Sequence, residues 1–106
     1  MRPGLRQLDG RVAVITGAGA GIGRALARGL HAKGCHLALI DLDGQAAQAV
    51  ATELAQAGSE RRITVHPADV ADRARMRVLA AEVAEAHGSL HLLINNAGIG
   101  LSLIHI

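Results

Sequence analysis

Apolar residues along the chain fall into short runs that alternate with stripes of helical spacing. The short runs are rich in aliphatic and β-branched side chains and cover residues 12–16, 35–40, 63–66 and 90–94. Runs of this length and composition predict strands that are buried on both faces. We therefore expect these strands to lie inside a sheet that other elements cover.

Between the strands, apolar residues recur at the spacing of an α-helix. The first helix should begin at Gly21 and end before Gly34, with an inward stripe of Ile22, Ala25, Leu26, Gly29 and Leu30. The second should begin after Asp43, a suitable N-cap, and end near Gly58, burying Ala46, Ala47, Val50, Ala51 and Leu54. The third should cover residues 72–87, with Met76, Leu79, Ala80 and Val83 inward.

Strands and helices that alternate in this way pair in parallel and are joined by right-handed crossovers. The sequence therefore predicts an α/β fold, a partial Rossmann-type doubly wound parallel sheet (β-α-β-α-β-α-β) with strand order 3-2-1-4. The first two helices should cover one face and the third helix alone the other. The fourth strand should lie at an open edge, and strands one and four should be partly bare. We therefore expect edge-to-edge association and low stability.

Composition narrows the classes of partner. Half of the 106 residues are hydrophobic, 19% are charged, and the net charge is +2, as in an ordinary globular protein. Scattered arginines without any aromatic residue disfavour binding to nucleic acid. No apolar run approaches the roughly 18 residues of a membrane span, and the N-terminus lacks the apolar core of a signal peptide. A cytoplasmic protein that binds no membrane is expected.

The cysteine and the histidines give no sign of a reactive or metal site. Cys35 lies in an apolar run and is expected to be a buried small side chain. A metal site is not predicted. The closest histidine pairs are His31 with His36 and His87 with His91, and a helix end separates the members of each pair, so they share no helical face.

A glycine-rich turn separates the first strand from the first helix, with the sequence Thr16-Gly17-Ala18-Gly19-Ala20-Gly21-Ile22-Gly23. Glycines at this place let the backbone approach a pyrophosphate, whose charge the free N–H groups and the helix dipole stabilise. The turn therefore predicts dinucleotide binding. Asp41 ends the second strand, where a carboxylate can bind both adenosine ribose hydroxyls and repel a 2′-phosphate. NAD is therefore favoured over NADP. The only nearby cation that could offset this repulsion is Arg24, and it lies inside the first helix, after the last glycine.

Three motifs in order resemble the ordinary short branch of the short-chain dehydrogenase/reductases: Gly17-x-x-x-Gly21-x-Gly23, Asp69-Val70 and Asn95-Asn96-Ala97-Gly98. The resemblance covers residues 8 to about 100. The cofactor-binding residues expected in the turn are Gly17, Gly19, Ala20, Gly21, Ile22 and Gly23. The resemblance also implies that Asp69 meets the adenine amino group and that Val70 lies beside the ring. It further implies that Asn96, Ala97 and Gly98 lie along the cofactor near its nicotinamide-side ribose, and that Asn95 helps to hold the sheet.

The chain departs from the family pattern at two positions. Ala71 stands where the family often has a helix-capping Ser or Thr, and His91 stands where an acidic residue is common. Both departures are expected to affect local stability more than function.

The resemblance implies an oxidoreductase that transfers hydride between NAD and an alcohol or carbonyl substrate, with a parent protein that is a homo-oligomer. The family's catalytic residues are a serine, an asparagine and a Tyr-x-x-x-Lys pair. The chain contains no tyrosine, its only lysine is Lys33 in the first helix, and Ser59 and Ser89 lie at helix ends. No catalytic residue can be assigned, and the chain is expected to be inactive alone.

These observations divide the chain into an N-terminal arm (1–7), a truncated nucleotide-binding domain (8–100) and a tail (101–106). The tail fits neither the polar loop nor the helix expected there. Its six residues back-translate into a sequence that resembles a transposase mosaic-end adapter used in sequencing libraries. A non-native tail from read-through is therefore expected, and a divergent natural tail is the alternative.

Two other functions stay open on the sequence alone. A methyltransferase that uses S-adenosylmethionine also has a glycine turn and an acid after the second strand. It has no role for the segment that begins at Asn95, and the first strand here carries no acid before the glycines. A non-catalytic module that senses NAD is the other alternative.

Overall fold

The computed structural model describes residues 8–58, 60–96 and 100–103. In chain order the elements are β1 (Val12–Thr16), α1 (Gly21–Ala32), β2 (His36–Asp41), α2 (Gly44–Ala55), β3 (Ile63–Pro67), α3 (Arg73–His87), β4 (Leu92–Asn95) and β5 (Gly100–Leu103). The first four strands are parallel in the order β3-β2-β1-β4. The predicted α/β fold and its strand order are confirmed.

The two faces of the sheet carry separate parts of the core. Strand β2 alternates between them, so that Leu37 and Leu39 pack on one side and Ala38 and Ile40 on the other. Residues of α1 and α2 pack on the first side, whereas Leu79 and Val83 of α3 pack on the second. The predicted distribution of helices is therefore observed, and all five residues of β1 are buried.

Helix α1 buries a different stripe from the one that its apolar residues predicted. Its buried residues are Gly23, Ala27 and His31, whereas Ile22 is 65% exposed. The rotation follows from Gly23, because a Cβ there would lie 2.0 Å from the Gly17 carbonyl oxygen. Only a glycine can make this contact, and it fixes the face that α1 turns toward the sheet. The predicted stripe was wrong at Ile22, Ala25 and Gly29, which are exposed.

Helices α2 and α3 agree better with their patterns. The predicted stripe of α2 is buried or half-buried throughout, and Asp43 caps the helix by accepting hydrogen bonds from the N–H groups of Gln45 and Ala46 at 3.1 Å. In α3, Leu79 and Val83 are buried, but Ala80 is exposed and was wrongly placed inward. The remaining space between α3 and the sheet is an apolar cleft of about 290 Å³.

The edge beside β4 was predicted incorrectly. Strand β5 pairs with β4 in antiparallel register, from Asn95 opposite Gly100 to Leu92 opposite Leu103. Strand β4 is therefore paired on both sides, with β1 and with β5. An antiparallel neighbour needs no helical crossover, which is why the pattern of alternating helices did not predict it. The expectation of bare side chains holds for β4, where Leu92 and Leu93 are half-exposed, but not for β1. Expected edge association through β4 loses its basis.

A chain of side-chain hydrogen bonds joins α3 to β3. His66 Nδ1 donates to the Glu82 carboxylate at 3.0 Å, and its Nε2 is hydrogen-bonded to the Thr64 hydroxyl at 2.8 Å. The same hydroxyl is hydrogen-bonded to His87 Nε2 at 2.7 Å. Arg75 donates to the other oxygen of Glu82 at 2.7 Å, and together with His66 it lowers the pKa of that carboxyl.

His87 should make the stability of the chain pH-dependent. Burial, followed by the nearby Arg62, His36 and His66, lowers the pKa of His87 to about 4. A lowered pKa means that the unfolded state binds the proton first, so stability is complete above about pH 6.5 and falls as pH drops toward 4. Allowing for partial solvent screening, we expect a loss of about 1–2 kcal/mol between pH 7 and pH 5 from this group.

Urea unfolding of His87→Gln at both pH values checks this expectation. Glutamine can still donate to Thr64 but does not titrate, so the variant should lose about 1–2 kcal/mol less than the wild type over the same interval. An identical pH dependence in the two proteins would assign the effect to other groups.

Candidate functional site

The turn between β1 and α1 lies at the carboxyl edge of the sheet. Gly17 and Gly21 have positive φ angles of 61° and 57°, a backbone conformation that favours glycine. A Cβ at Gly21 would meet nothing within 4 Å, so the backbone there faces open space. Ile22, which follows it, is 65% exposed. This part of the turn is accessible to a ligand.

The opposite side of the turn is packed against the end of β4. Asn96 Nδ2 donates a hydrogen bond to the Gly17 carbonyl oxygen at 3.3 Å. A Cβ at Gly17 would lie 2.9 Å from that amide nitrogen, and one at Gly23 would lie 3.0 Å from it. Asn96 therefore supports the turn from behind. Its role in this structure is to hold the glycines, and the nearby Ala97 and Gly98 lie outside the described residues.

Thr16 is a site residue that the sequence did not single out. Its hydroxyl accepts the N–H of Asn96 at 3.0 Å, and it has the Asn95 side-chain oxygen at 3.2 Å as an acceptor. The predicted role of Asn95 in holding the sheet agrees with this contact. The available signal was a polar residue at the end of a fully apolar strand, because a buried hydroxyl requires a partner.

Helix α1 begins without a side-chain cap. Its N-cap residue, Ala20, has no side-chain oxygen that could accept an N–H, and the first turn contains no acidic residue. Helices α2 and α3, in contrast, are capped by Asp43 and Asp72. The amides in the first turn of α1 are thus left for an external acceptor, beside the open backbone of Gly21.

Asp41 ties the end of β2 to the glycine turn. One carboxylate oxygen accepts the N–H of Gly19 at 2.8 Å, and the other accepts the N–H of Asp43 at 2.9 Å. Gly19 is closely packed there, because a Cβ would lie 2.6 Å from the Cβ of Ala46 and 2.9 Å from Asp41. Each carboxylate oxygen has a further lone pair. Asp41 can therefore accept additional hydroxyl donors while it holds the turn.

Two of the described residues, Leu42 and Arg24, decide whether a cation can offset the charge of Asp41. Leu42 is 75% exposed and carries no charge. Arg24, the one candidate from the sequence, forms an ion pair with Glu53 of α2 at 3.1 Å. Arg28 donates to the same carboxylate, and the two arginines lower the pKa of Glu53. Arg24 is thereby directed to the α1–α2 surface.

The end of β3 brings Asp69 and Val70 to the same edge of the sheet. The N–H of Ala68 donates to the Asp41 carbonyl oxygen at 3.0 Å. This bond holds the residue before Asp69 beside Asp41, so the two carboxylates predicted to bind adenosine follow adjacent strands. Asp69 accepts the N–H of Ala71 at 2.9 Å and keeps its side chain exposed. Val70 is 39% exposed beside it. The predicted residues therefore converge along the carboxyl ends of β1, β2 and β3.

The two departures from the expected pattern are compensated locally. His91 Nδ1 accepts the N–H of Val12 at 2.9 Å, a contact that requires only an acceptor and that an acidic residue could equally make. Asp72 caps α3 through the N–H of Arg75 at 3.0 Å, so Ala71 does not need to.

The described residues contain neither a metal-binding cluster nor a helix that could span a membrane. Within residues 8–58, 60–96 and 100–103, no group of histidine, cysteine and carboxylate side chains could hold a metal ion. Across the same residues, no helix combines the length and the apolar character that crossing a membrane requires.

Comparison with known sequences gives a consistent family. A sequence model described as short chain dehydrogenase matches residues 11–105. The D-threitol dehydrogenase of Mycolicibacterium smegmatis is 39% identical over 94 residues, which are 88% of this chain and 35% of that protein. The chain thus spans about a third of the length of this curated relative.

Solved structures give the same result for the fold. A short-chain dehydrogenase/reductase from Burkholderia phymatum in complex with NAD is 41% identical, with a TM-score of 0.76 over 81% of this chain and 30% of that one. A metagenomic short-chain oxidoreductase in complex with NADP is 38% identical, with a TM-score of 0.78 over 87% of this chain and 41% of that one. The similar chains therefore include one with each dinucleotide.

Proposed function

The chain belongs to the short-chain dehydrogenase family, and we propose that it is the NAD-binding part of an oxidoreductase that transfers hydride between NAD and an alcohol or carbonyl substrate. Since the chain covers about a third of its curated relative, we assign cofactor binding to these residues and the reaction to the whole protein. Bound NAD would supply the hydride acceptor, and this chain would hold the cofactor in place. We also propose that the parent is a cytoplasmic homo-oligomer.

The uncapped start of α1 carries this proposal. Its free amides and its dipole face the open backbone at Gly21, where a pyrophosphate can approach without meeting a side chain. We assign the pyrophosphate to the segment from Gly17 to Gly23, with Gly21 and Ile22 nearest to the open side. Gly17, Gly19 and Gly23 are closely packed, and they give the turn its shape.

The adenosine half would lie across the ends of β2 and β3. We assign the ribose hydroxyls to Asp41, the adenine amino group to Asp69 and one face of the ring to Val70. Both carboxylates are held by backbone N–H groups and retain lone pairs for a ligand. We place the nicotinamide-side ribose near Asn96, Ala97 and Gly98. These assignments favour NAD over NADP, because Asp41 is negatively charged.

Titration calorimetry of the purified chain with NAD tests the proposal. We expect saturable binding to one site, which Gly21→Trp should eliminate, because the side chain fills the open space above the turn and strains a backbone conformation that favours glycine. Binding of S-adenosylmethionine in place of NAD would instead favour a methyltransferase, an assignment that the family matches do not favour.

We predict that the chain has no dehydrogenase activity by itself. It contains no tyrosine to act as the acid/base, and Lys33 directly follows α1, away from the carboxyl edge of the sheet. Incubation with NAD and a panel of polyols and secondary alcohols should give no more NADH than the Gly21→Trp variant. Turnover above that control would contradict the prediction. The NAD-sensing alternative predicts that the complete gene also lacks a downstream Tyr-x-x-x-Lys pair.

A further inference from the structure

The guanidinium group of Arg75 binds the backbone at the end of β3. Its Nε and Nη2 atoms both donate to the Pro67 carbonyl oxygen, at 3.1 and 2.9 Å. Its Nη1 atom donates to Glu82 at 2.7 Å. Two of the donors of one planar group thus converge on a single carbonyl, while a carboxylate on the same helix fixes the plane. Such a fork defines the position of the acceptor more closely than a single donor does.

Pro67 connects the two segments that carry the proposed adenosine-binding residues, Asp41 at the end of β2 and Asp69 after β3. It is the last paired residue of β3 and lies opposite Asp41 in the parallel register. Its ring packs against Gly44 at the start of α2, where a Cβ would lie 2.7 Å from the Pro67 Cγ. A displacement of Pro67 would therefore reach the end of β2 as well as the residues that follow it.

The segment after Pro67 forms a closed turn that ends at Arg75. Asp69 accepts two backbone N–H groups, that of Ala71 through its side chain and that of Asp72 through its carbonyl oxygen. Asp72 then caps α3 at the N–H of Arg75, whose side chain returns to Pro67. The two ends of the turn are thus joined by Arg75, and Asp69 lies between them.

We propose that Arg75 is a positioning residue that fixes the adenine-contacting carboxylate of Asp69, a role that rests on the proposed binding of a dinucleotide. Arg75 does not touch the cofactor. It holds the turn in the conformation in which Asp69 presents a free lone pair to the exocyclic amino group of the base. Glu82 and His66 support this role of Arg75. Glu82 orients the guanidinium, and His66 donates a hydrogen bond to the same carboxylate.

An ordinary surface ion pair would have a different effect. The Arg75–Glu82 pair is partly exposed, with 27% and 40% of the two side chains accessible, and such pairs contribute little to stability. Losing the pair alone would leave the discrimination between bases intact. The Pro67 carbonyl contacts distinguish the positioning role, because they act on the geometry of the turn.

Binding of two dinucleotides separates these cases. The probes are NAD and nicotinamide hypoxanthine dinucleotide, in which a carbonyl oxygen replaces the adenine amino group. A lost hydrogen bond to a carboxylate should make the wild type prefer NAD by roughly tenfold. In Arg75→Ala, and also in Arg75→Lys, which keeps the charge but not the fork, we expect the preference to fall below about twofold. Arg77→Ala, an exposed arginine of the same helix, is the matched control and should keep the wild-type ratio.

Each outcome has a definite meaning. If Arg75→Lys folds and keeps the wild-type ratio, or if both variants lose thermal stability without a change in the ratio, the positioning role is overturned. A wild type that binds both dinucleotides equally overturns the role of Asp69 and, with it, that of Arg75. Failure of the wild type to bind NAD at all would instead overturn the proposed function itself.

Discussion

Replacing Gly23 by alanine should weaken NAD binding at least tenfold and lower the free energy of unfolding by about 2–3 kcal/mol. The new Cβ would lie 2.0 Å from the Gly17 carbonyl oxygen and 2.7 Å from its carbon, and both are backbone atoms that a side-chain rotation cannot relieve. Either α1 or the turn must move. Each movement displaces the free amides of α1 from the open backbone at Gly21.

Gly29→Ala is the matched control for this prediction. Gly29 belongs to the same helix, but a Cβ there would meet nothing within 4 Å. Alanine at this position should raise the free energy of unfolding by up to about 1 kcal/mol and leave NAD affinity unchanged. Urea unfolding and titration calorimetry on both variants measure the two effects. Equal NAD affinities in Gly23→Ala and the wild type would show that the close packing is irrelevant to binding.

Local patterns were sufficient for most elements of the fold. Strand β1 was predicted with its observed bounds, and the glycines that end the helices were read correctly, since Gly34 and Gly88 have the positive φ expected after a last turn. The ends of β2 and β4 were displaced by one or two residues toward the N-terminus. A run of apolar residues does not show where backbone pairing stops, because pairing depends on the neighbouring strand.

Tertiary contacts decided the features that the sequence did not predict. The face that α1 buries follows from the contact between Gly23 and Gly17, which hydrophobic periodicity cannot detect because glycine has no side chain. The pairing of β5 with β4 involves residues 100–103, whose pattern gave no helix or polar loop. Whether residues 101–106 are native stays a hypothesis that the codons of the gene would decide.

The sequence indicated candidate residues for the site but not the contacts that hold them in place. The sequence indicated the glycine turn, Asp41 and Asp69 because each follows a strand at the edge where parallel sheets bind ligands. It did not show that Asn96 supports Gly17, that Thr16 joins β1 to β4, or that Arg75 holds Pro67. These contacts link residues that are distant in sequence, or reach back to a backbone carbonyl, and no spacing rule describes them.

The preference for NAD that we expect is the property that a small change should alter most. Among the similar structures one contains NAD and another NADP, so the fold alone does not determine the cofactor. Asp41 should repel a 2′-phosphate, and neither Leu42 nor the paired Arg24 offsets that repulsion. We expect the wild type to bind NAD about 100-fold more tightly than NADP, from one or two lost hydrogen bonds to a charged group together with the repulsion.

Asp41→Asn combined with Leu42→Arg should reverse this preference, so that NADP is bound at least as tightly as NAD. Asparagine removes the charge but keeps one oxygen, which can still accept the N–H of Gly19 or of Asp43. Leu42 is 75% exposed, so an arginine there can extend toward the 2′-phosphate without displacing the core. Calorimetric affinities for both dinucleotides at low and high salt measure the change, and the contribution of the new arginine should decrease as salt is added.

Asp41→Ala with Leu42→Arg separates the two tasks of the carboxylate. Alanine leaves both backbone N–H groups without their acceptor, so the glycine turn loses its connection to β2. This variant should show the same shift in preference but bind both dinucleotides about tenfold more weakly than the asparagine variant. Equal affinities of the wild type for NAD and NADP would exclude Asp41 as the ribose-binding residue. Equal affinities of the alanine and asparagine variants would leave the ribose role intact and remove only the supporting role in the turn.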